Sequence, residues 1–350
     1  MRPFVLELPP PMTGRERIEH LLAGRPADRV PFCPAVYEHK AALIGTTPSR
    51  MSRDPALLER ALLREAELYR ADLMVVGCDV YNVEAEAAGC EVRFSETNDV
   101  PSIVTRVLEP GDDLSRLKIP DPETDGRMPV FLEAGRKTAA ILGREIIIRG
   151  ALSAPFSLAA ELVGAERLLL ALIDDPGWIK RLLDRIAGIV NAYGRAFHRR
   201  GLGVILFDSH AAPPLVPPRI YKEVVLPATA SVISYFRGEL GLPFVPYIMG
   251  GNTEPLLDLI LATGSNNILC DFPADLATFV SRLSGKPVLL RANIDPRFLL
   301  AASPGEIRAR TREVLAIGRR HPGFLLGTGI LPYDIDPEKV VAVRDALDEK

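Results

Sequence analysis

The stretch GVILFDSH, residues 203–210, decides the fold, because a continuous apolar run of strand length ends abruptly in polar, ionisable residues. Apolar runs without alternation are typical of strands buried on both faces of a parallel sheet. Upstream, residues 176–199 have apolar side chains at helical spacing, and residues 145–149 (EIIIR) form another short apolar run. Strand, helix and strand in this order predict a parallel βαβ unit.

The same alternation extends along the chain in both directions. The predicted strands are residues 30–36, 72–76, 145–149, 203–207, 243–247, 267–271, 287–291 and 323–326. Amphipathic segments between them predict helices, among them residues 55–69 and two helices that begin after the N-caps Ser303 and Asp336. Eight strand–helix repeats predict a single closed (β/α)8 TIM barrel. An open doubly wound sheet is the alternative, and it is disfavoured because no GxGxxG motif follows the first strand.

Two segments depart from the alternation. Residues 1–13, with three consecutive prolines, are predicted to be an irregular N-terminal arm before one barrel domain of residues 14–350. Residues 90–94 and 103–107 are predicted to form a β-hairpin excursion after the second strand. No linker rich in Gly or Ser divides the chain into two domains.

The composition excludes several functional classes. The chain has 350 residues, 47% of them hydrophobic and 25% charged, with a net charge of −3. These values suit a globular protein with a large core, and the charge does not attract nucleic acid or an anionic membrane. The N-terminus lacks the long apolar run of a signal peptide or membrane span, and the four cysteines form no CxxC pair. We therefore expect reduced thiols, a cytoplasmic location and no nucleic-acid or membrane partner, and we leave a homo-oligomer open.

Barrel active sites lie at the carboxyl ends of the strands, so the polar residues that follow each predicted strand are the site candidates. The candidate catalytic residues are Asp79, His39, His210 and Glu84. The candidate substrate-binding residues are Tyr37, Glu38, Tyr81, Arg149, Ser209, Asn252, Asp271, Arg291 and Thr328. Glu86 and Asp208 are candidate ligands of a divalent metal, whose presence the sequence leaves open. These side chains are expected to converge on one mouth.

Several of these residues have a structural alternative. Arginine grips a carboxylate through two parallel hydrogen bonds, so Arg149 and Arg291 are expected either to bind an anionic substrate or to form buried ion pairs, for example with Asp271. Asn252 fits a turn residue that fixes the backbone. His39 and His210 stand at strand ends and fit either role.

Five segments resemble the uroporphyrinogen decarboxylase superfamily. RERIEHLLAGRPADRVP (residues 15–31) is similar to its opening segment, FDSHAA (207–212) to its FESHAG segment, and NIDP (293–296) to its NLDP turn. GTGILPYDIDPEKV (327–340) resembles its closing GHG...DPEHV motif. Residues 154–164, with DDP at 174–176, resemble the corrinoid-linked methyltransferases of the same superfamily. The resemblance covers essentially the whole chain from Met12 and implies a barrel enzyme.

The decarboxylase pattern is kept at two substrate positions, which the resemblance implies are Asp79 and Ser209. Residues 37–40 (YEHK) stand where the decarboxylases have an Arg-rich RQAGR motif. Glu161 stands at the position of the family's Tyr, and Thr328 at that of its C-terminal His. Because acidic Glu38 and Glu161 would meet the carboxylates of a tetrapyrrole, uroporphyrinogen itself is disfavoured as the substrate.

The thiol-activating methyltransferases of the superfamily bind zinc through an HxC motif and a later Cys. Those positions hold Ile248, Gly250 and Ile330 here, and none of these side chains ligates zinc. The resemblance therefore implies methyl transfer between a small anionic or methoxylated substrate and a corrinoid on a partner protein, with no cofactor assigned to the chain itself. Two alternatives stay open: a cofactor-independent decarboxylase of a uroporphyrinogen-like substrate, in which Asp79 stabilises a positive charge, and a non-catalytic corrinoid or small-molecule binder.

Overall fold

A computed structural model describes residues 11–349 of the chain. The strands are β1 (Phe32–Ala35), β2 (Leu73–Val76), β3 (Glu91–Arg93), β4 (Ser102–Thr105), β5 (Ile147–Ser153), β6 (Gly203–Phe207), β7 (Tyr247–Ile248), β8 (Asn267–Cys270), β9 (Leu289–Ile294) and β10 (Phe324–Ile330). Eight of them form two parallel sheets, in the orders β1-β10-β9-β8 and β2-β5-β6-β7. The fold is therefore α/β with parallel sheets.

Helices alternate with these strands along the chain. They are α1 (Gly14–Leu22), α2 (His39–Ala42), α3 (Pro48–Met51), α4 (Pro55–Tyr69), α5 (Asn82–Ala87), α6 (Met128–Leu142), α7 (Pro155–Val163), α8 (Ala165–Asp174), α9 (Pro176–His198), α10 (Pro218–Ile220), α11 (Leu226–Ser234), α12 (Leu257–Ala262), α13 (Leu276–Arg282), α14 (Pro296–Ala301), α15 (Pro304–Gly318) and α16 (Pro337–Asp348). Among residues 11–349, no helix combines the length and the apolar character needed to cross a membrane.

The helix starts follow from their capping residues. Ser303 and Glu306 form a reciprocal capping box at α15, and Asp336 accepts a hydrogen bond from the backbone N–H of Glu338 at α16 (2.9 Å). Proline occupies the first turn of both helices, where its missing N–H has no intrahelical partner to lose. α4 has the predicted bounds, and α9 ends one residue before the predicted end.

The segment between β2 and β5 leaves the alternation where the sequence predicts a hairpin. β3 and β4 pair antiparallel, with Glu91 opposite Thr105, and the Thr105 hydroxyl donates to the Glu91 carboxylate (2.7 Å). The predicted N-terminal arm lies for the most part outside the described residues. Its last residue, Thr13, caps α1 together with Glu16.

Three parallel strands extend further than the sequence predicts. β5, β9 and β10 end at Ser153, Ile294 and Ile330, three to four residues beyond the expected ends. The predicted end of the third strand at residue 149 is wrong, because the next residue, Gly150, still pairs with Val204 of β6. A Cβ atom at position 150 would lie 2.3 Å from the ring of Phe197 in α9. The glycine therefore serves the close approach of a helix to the sheet.

Because these strands are longer than predicted, three candidate site residues lie inside strands. Arg149, Arg291 and Thr328 lie within β5, β9 and β10, so the expectation that they follow strand ends is wrong. An apolar cluster toward the amino ends of the strands includes Cys33, Phe244 and Leu325. A second apolar cluster toward the carboxyl ends is formed by Ala35, Tyr37, Val75, Ile205, Phe207, Ile248 and Leu269.

The close contact at Gly150 gives a test of the packing between β5 and α9. Gly150→Ala is expected to lower the free energy of unfolding by about 1–3 kcal/mol, because the added methyl group overpacks against the buried Phe197 ring. Gly238→Ala is the matched control, because nothing lies within 4 Å of a Cβ at that position. In Gly238→Ala the unfolded chain has less backbone entropy than in the wild type, so the free energy of unfolding should be equal or slightly higher. Urea denaturation of both variants measures the difference, and equal midpoints would contradict the packing.

Candidate active site

The loops that follow β2 and β6 meet at the carboxyl ends of the strands. The Tyr81 hydroxyl accepts a hydrogen bond from the backbone N–H of Ser209 (3.1 Å). The rings of Tyr81 and His210 pack edge to face with centroids 5.4 Å apart. On the other side of His210, its Nε2 atom lies 3.7 Å from a carboxylate oxygen of Glu161 in α7. Candidates from distant parts of the chain are thus neighbours at one edge of the sheet.

Asp79 is buried and its charge is compensated. Arg127, which precedes α6, places Nη2 at 2.7 Å from one Asp79 oxygen, while Asn82 donates to the other oxygen at 2.6 Å. Arg127 also pairs with Glu86 through Nε, so one guanidinium holds two carboxylates. Burial raises the pKa of Asp79, and the charge of Arg127 acts against this rise. Glu86, a candidate metal ligand, is committed to the same arginine.

Tyr81 has an unusual backbone conformation. Its φ angle is +81°, and apart from Arg70 it is the sole non-glycine residue in the described part of the chain with a positive φ. Such a conformation costs about 1–3 kcal/mol and persists where its surroundings enforce it. Burial raises the pKa of the Tyr81 phenol to about 12, so the hydroxyl keeps its proton at neutral pH.

Glu161 and His210 form the most accessible ionisable pair of this region. Their side chains are 17% and 28% exposed. Burial raises the pKa of Glu161, which Arg106 opposes, and burial lowers the pKa of His210. The imidazole is therefore neutral at pH 7, and its buried Nδ1 has no hydrogen-bond partner among residues 11–349. A carboxyl group with a raised pKa beside a neutral imidazole is an arrangement suited to proton transfer.

Asp208, also a candidate metal ligand, is fully buried and fully hydrogen-bonded. One carboxylate oxygen accepts from the backbone N–H and the hydroxyl of Ser157 (2.9 and 2.8 Å), and the other accepts from the Tyr247 hydroxyl (2.6 Å). Burial raises the pKa of Asp208 to about 6, against the effect of these donors. The Ser157 hydroxyl also accepts from the backbone N–H of His210 (3.2 Å). Asp208 thereby positions the loop that carries His210.

A second hydrogen-bonded network connects residues of β9, β10 and the loops that follow β7 and β8. Asp271 accepts from the Gly251 N–H (2.9 Å) and from the Asn293 amide (3.0 Å), whose oxygen accepts from Arg291 Nε (3.0 Å). Arg291 also donates to the carbonyl of Thr328 (3.1 Å). The expected contact between Arg291 and Asp271 is thus indirect, because Asn293 stands between them. The Thr328 hydroxyl accepts from the Ala35 N–H (3.0 Å) and joins β10 to β1.

Arg149 lies between the two inner apolar clusters with little polar contact. It is 1% exposed, and it forms no ion pair with an acid in the described part of the chain. One terminal nitrogen lies 3.6 Å from the sulfur of Cys33, and its Nε has no hydrogen-bond partner among residues 11–349. The charges of Arg291 and Arg149 both act to lower the pKa of the buried Tyr37, although its burial raises that pKa more. Two cations thus flank one phenol.

The remaining candidates lie apart from these groups. His39 is buried behind β1, where Tyr69 and the carbonyl of Tyr333 contact its two ring nitrogens (2.6 and 2.9 Å). Since a carbonyl accepts only, Nδ1 carries the proton and Nε2 accepts from Tyr69. Asn252 is exposed and accepts from the N–H of Glu254 (3.1 Å), which is a turn contact. Glu38 is half-buried at the start of α2, and burial raises its pKa.

The site includes residues that the candidate set lacks. Arg127 and Arg106 follow no predicted strand, and no local pattern separates them from the other arginines of the chain. Ser157 and Tyr247 hold Asp208, but only the fold brings them to it. Glu161 is indicated in advance solely by its position in the family pattern.

The positions of the superfamily's zinc ligands offer no donor. Ile248 is buried in β7, Gly250 follows it, and Ile330 at the end of β10 is 55% exposed. Zinc takes thiolate, imidazole or carboxylate ligands, so this set does not fit that metal. Residues 11–349 contain no group of three or more His, Cys, Asp or Glu side chains arranged to hold a metal ion.

Comparisons with known proteins agree on one family. The family model described as uroporphyrinogen decarboxylase (URO-D) matches residues 13–350. The methylcobamide:CoM methyltransferase MtbA of Methanosarcina acetivorans is 26% identical over 314 residues, covering 87% of this chain and 90% of that protein. A uroporphyrinogen decarboxylase of Paraburkholderia phytofirmans is 28% identical over 314 residues, covering 85% of this chain and 82% of that protein.

A solved structure shares the fold. A methyltransferase from Methanosarcina mazei superimposes with a TM-score of 0.84 at 23% sequence identity, covering 96% of this chain and 98% of that chain. At this identity the likeness concerns the fold alone.

The Asp79–Arg127 pair gives a test of the charge balance in the site. Arg127→Leu is expected to lower the free energy of unfolding by about 3–5 kcal/mol at pH 7, because it leaves a buried carboxylate uncompensated. The loss should shrink as the pH is lowered, because burial raises the pKa of Asp79 and protonation removes the uncompensated charge. Adding Asp79→Asn should restore part of the stability at pH 7. Arg136→Leu, which breaks an exposed pair with Glu133, is the matched control and should leave the melting temperature unchanged. Strictly additive losses in the double variant would show that the two residues do not interact.

Proposed function

The chain belongs to the uroporphyrinogen decarboxylase family, and on that premise we propose that it transfers a methyl group between a small anionic substrate and a corrinoid on a partner protein. Support comes from relatives in this family that carry the name methylcobamide:CoM methyltransferase. Further support comes from the replacement of the Arg-rich decarboxylase motif by residues 37–40 (YEHK).

The pair Glu161–His210 is the observation that carries the proposal. When a methyl group leaves an oxygen or nitrogen, the electron pair of the broken bond stays on that atom, which leaves poorly unless it takes up a proton. We assign this proton to Glu161, whose carboxyl oxygen lies 3.7 Å from Nε2 of the neutral His210 imidazole. Both side chains are partly exposed, so a substrate and a partner protein can reach them.

The zinc-dependent activation of a thiol does not belong to this proposal. Ile248, Gly250 and Ile330 hold no donor atom in a side chain, so no step is assigned to a metal at those positions. The leaving group is therefore an oxygen or nitrogen activated by a Brønsted acid.

We also propose that the two sheets close into one barrel, which would bring all eight carboxyl ends of the strands around a single mouth. Between β1 and β2, the N–H of Asp72 donates to the carbonyl of Phe32 (2.9 Å). Between β7 and β8, the N–H of Tyr247 donates to the Ser265 hydroxyl (3.2 Å). The similarity to the solved methyltransferase over 96% of this chain is in keeping with such closure.

The anionic character of the substrate rests on Arg149 and Arg291. A buried guanidinium without a counter-ion costs several kcal/mol, which an anionic ligand would offset. Arg149 is the less engaged of the two, since Arg291 already donates to Asn293 and Thr328. We infer that Arg149 binds the anionic end of the substrate and that the methyl group lies at the mouth near Glu161.

Decarboxylation is the second candidate, and the retained Asp79 favours it. In that reaction the carboxylate would stabilise a positive charge on the substrate. Arg127 and Asn82 already occupy both oxygens of Asp79, so little of its negative charge is free for a substrate. This leaves methyl transfer as the better supported function.

The first test is a methyl-transfer assay with free cob(I)alamin as the acceptor and a panel of methoxylated and N-methylated carboxylic acids. Glu161→Gln should lower kcat by about 10²–10⁴-fold for the accepted substrate, because general-acid catalysis contributes this much. Glu166→Gln, an exposed residue in the first turn of α8, is the matched control and should keep the wild-type rate. Release of CO₂ without methyl transfer would favour the second candidate, and a Glu161→Gln rate equal to wild type would remove Glu161 from the mechanism.

The second test concerns the anion. Arg149→Met should raise KM for the accepted acid by roughly 10- to 100-fold, the value of a lost charged hydrogen bond. Its melting temperature should stay equal or rise, because an uncompensated buried charge is removed. Arg291→Lys should instead lower the melting temperature, since lysine cannot hold Asn293 and Thr328 together. Arg60→Met on the surface is the control for the substitution itself. An unchanged KM in Arg149→Met would assign this arginine to the scaffold.

A further inference from the structure

A small cavity lies beside the candidate active site. Its volume is about 10 Å³, and the residues that contribute polar groups to its wall are Asp79, Tyr81, Glu84, Ser153 and Tyr193. These residues come from the loop after β2, from α5, from the end of β5 and from α9. A cavity of this volume with polar walls is large enough for one water molecule.

Glu84 and Ser153 meet in the wall of the cavity, and the Ser153 hydroxyl requires a further partner. Glu84 is 2% exposed, and one of its oxygens accepts from the backbone N–H of Ser153 (2.6 Å). The hydroxyl of Ser153 is buried without a hydrogen-bond partner among residues 11–349. Buried hydroxyls are nearly always paired with protein or ordered water, so an unpaired one beside a cavity indicates a water site.

We propose that the cavity holds one water molecule, bound to the Ser153 hydroxyl and to a protonated Glu84 carboxyl, and that this water delivers the Glu84 proton to the active site. The delivery step rests on the proposed function, whereas the protonated, water-linked Glu84 does not.

The charges around Glu84 favour its protonated form. No Lys, Arg or His forms an ion pair with it within the described residues, and Arg127 is engaged by Asp79 and Glu86. The Asp79 carboxyl group also lines the cavity, while Tyr81 and Tyr193 face it as neutral phenols. Burial raises the pKa of Glu84 to about 7, the Ser153 N–H lowers it, and Asp79 adds to the rise.

The proton balance of the step is simple. As the bond to the methyl group breaks, Glu161 protonates the leaving oxygen or nitrogen and becomes a carboxylate. The cavity water gives a proton through the Tyr81 hydroxyl to the Glu161 carboxylate and takes one from Glu84, so that Glu161 is an acid again; Tyr81 lines the cavity and packs against His210. Glu84 regains its proton from solvent after the product leaves. Glu84 thus acts through the water and does not touch the substrate.

The raised pKa of Glu84 has a definite effect on stability. An acid with a folded pKa above its unfolded value gives full stability below the unfolded pKa, and this stability is lost as pH rises through the folded pKa. For Glu84 the loss falls between about pH 4.5 and 7. Glu84→Gln, which keeps the acceptor for the Ser153 N–H, should therefore gain stability relative to wild type as pH rises from 5 to 8.

Infrared difference spectroscopy of the purified, ligand-free protein tests the inference directly. Subtracting the spectrum of Glu84→Gln from that of wild type at pH 6 should leave the carbonyl band of one protonated carboxylic acid, which disappears by pH 8.5. Ser153→Ala should shift this band, because the water loses one of its partners. Glu91→Gln in the exposed β3 strand is the matched control and should leave no such band.

The outcomes separate this inference from the proposed function. If the carbonyl band of Glu84 is present but no methyl transfer is found, the protonated, water-linked Glu84 is supported and its role in proton delivery is ruled out. Absence of the band, while methyl transfer proceeds, would overturn the inference and leave the proposed function intact. If both hold, Glu84→Gln should slow kcat on the order of tenfold with unchanged KM and move the pH profile. An unchanged pH profile would again overturn the delivery step.

Discussion

The pairing of β5 with both of its neighbours is the constraint on which the rest of the molecule depends. Arg149 stands level with Val75 of β2 and Gly203 of β6, and Ser153 is level with Phe207. Because side chains alternate along a strand, this register sends Arg149 and Ser153 to the same inner face. A shift by one residue would turn both toward the helices. β5 thus supplies both the buried cation Arg149 and, at its carboxyl end, Ser153 in the wall of the Glu84 cavity.

The sequence predicts the strand cores and helix starts because both depend on short-range features. The apolar run Gly203–Phe207 and the capping pair Ser303–Glu306 are examples that hold in the structure. The predicted strand ends at residues 149 and 326 are wrong, because the glycines that follow them do not form turns. They let neighbouring side chains or backbone approach the strand closely. Arg127 could not be predicted, since its partner Asp79 lies 48 positions away (127 − 79) and charge pairing at that distance leaves no local pattern.

The two ends of the strands differ in how they treat buried charge. At the amino end, Asp72 accepts from Arg17 (2.8 Å), from Arg29 (2.8 Å) and from the N–H of Phe32 (2.6 Å), so every charge has a partner. At the carboxyl end and inside, Arg149, Ser153 and His210 each keep an atom without a partner within residues 11–349. In (β/α) barrels, the closed form that we propose for these two sheets, the amino end serves stability and the carboxyl end serves chemistry. The distribution of hydrogen-bond partners agrees with this division, since in the described part of the chain the buried groups around Asp72 are paired and several at the carboxyl end are not.

The backbone at Tyr81 has a consequence for how this protein can change over time. Glycine would adopt φ +81° without cost, but it would lose the ring that packs on His210 and the hydroxyl that receives the Ser209 N–H. Lineages under pressure to withstand heat would gain from glycine here, whereas lineages that need the contacts with His210 and Ser209 would keep tyrosine. Position 81 is thus where a history of selection for durability and one for catalysis would leave different residues, and a set of diverged sequences could be sorted by it.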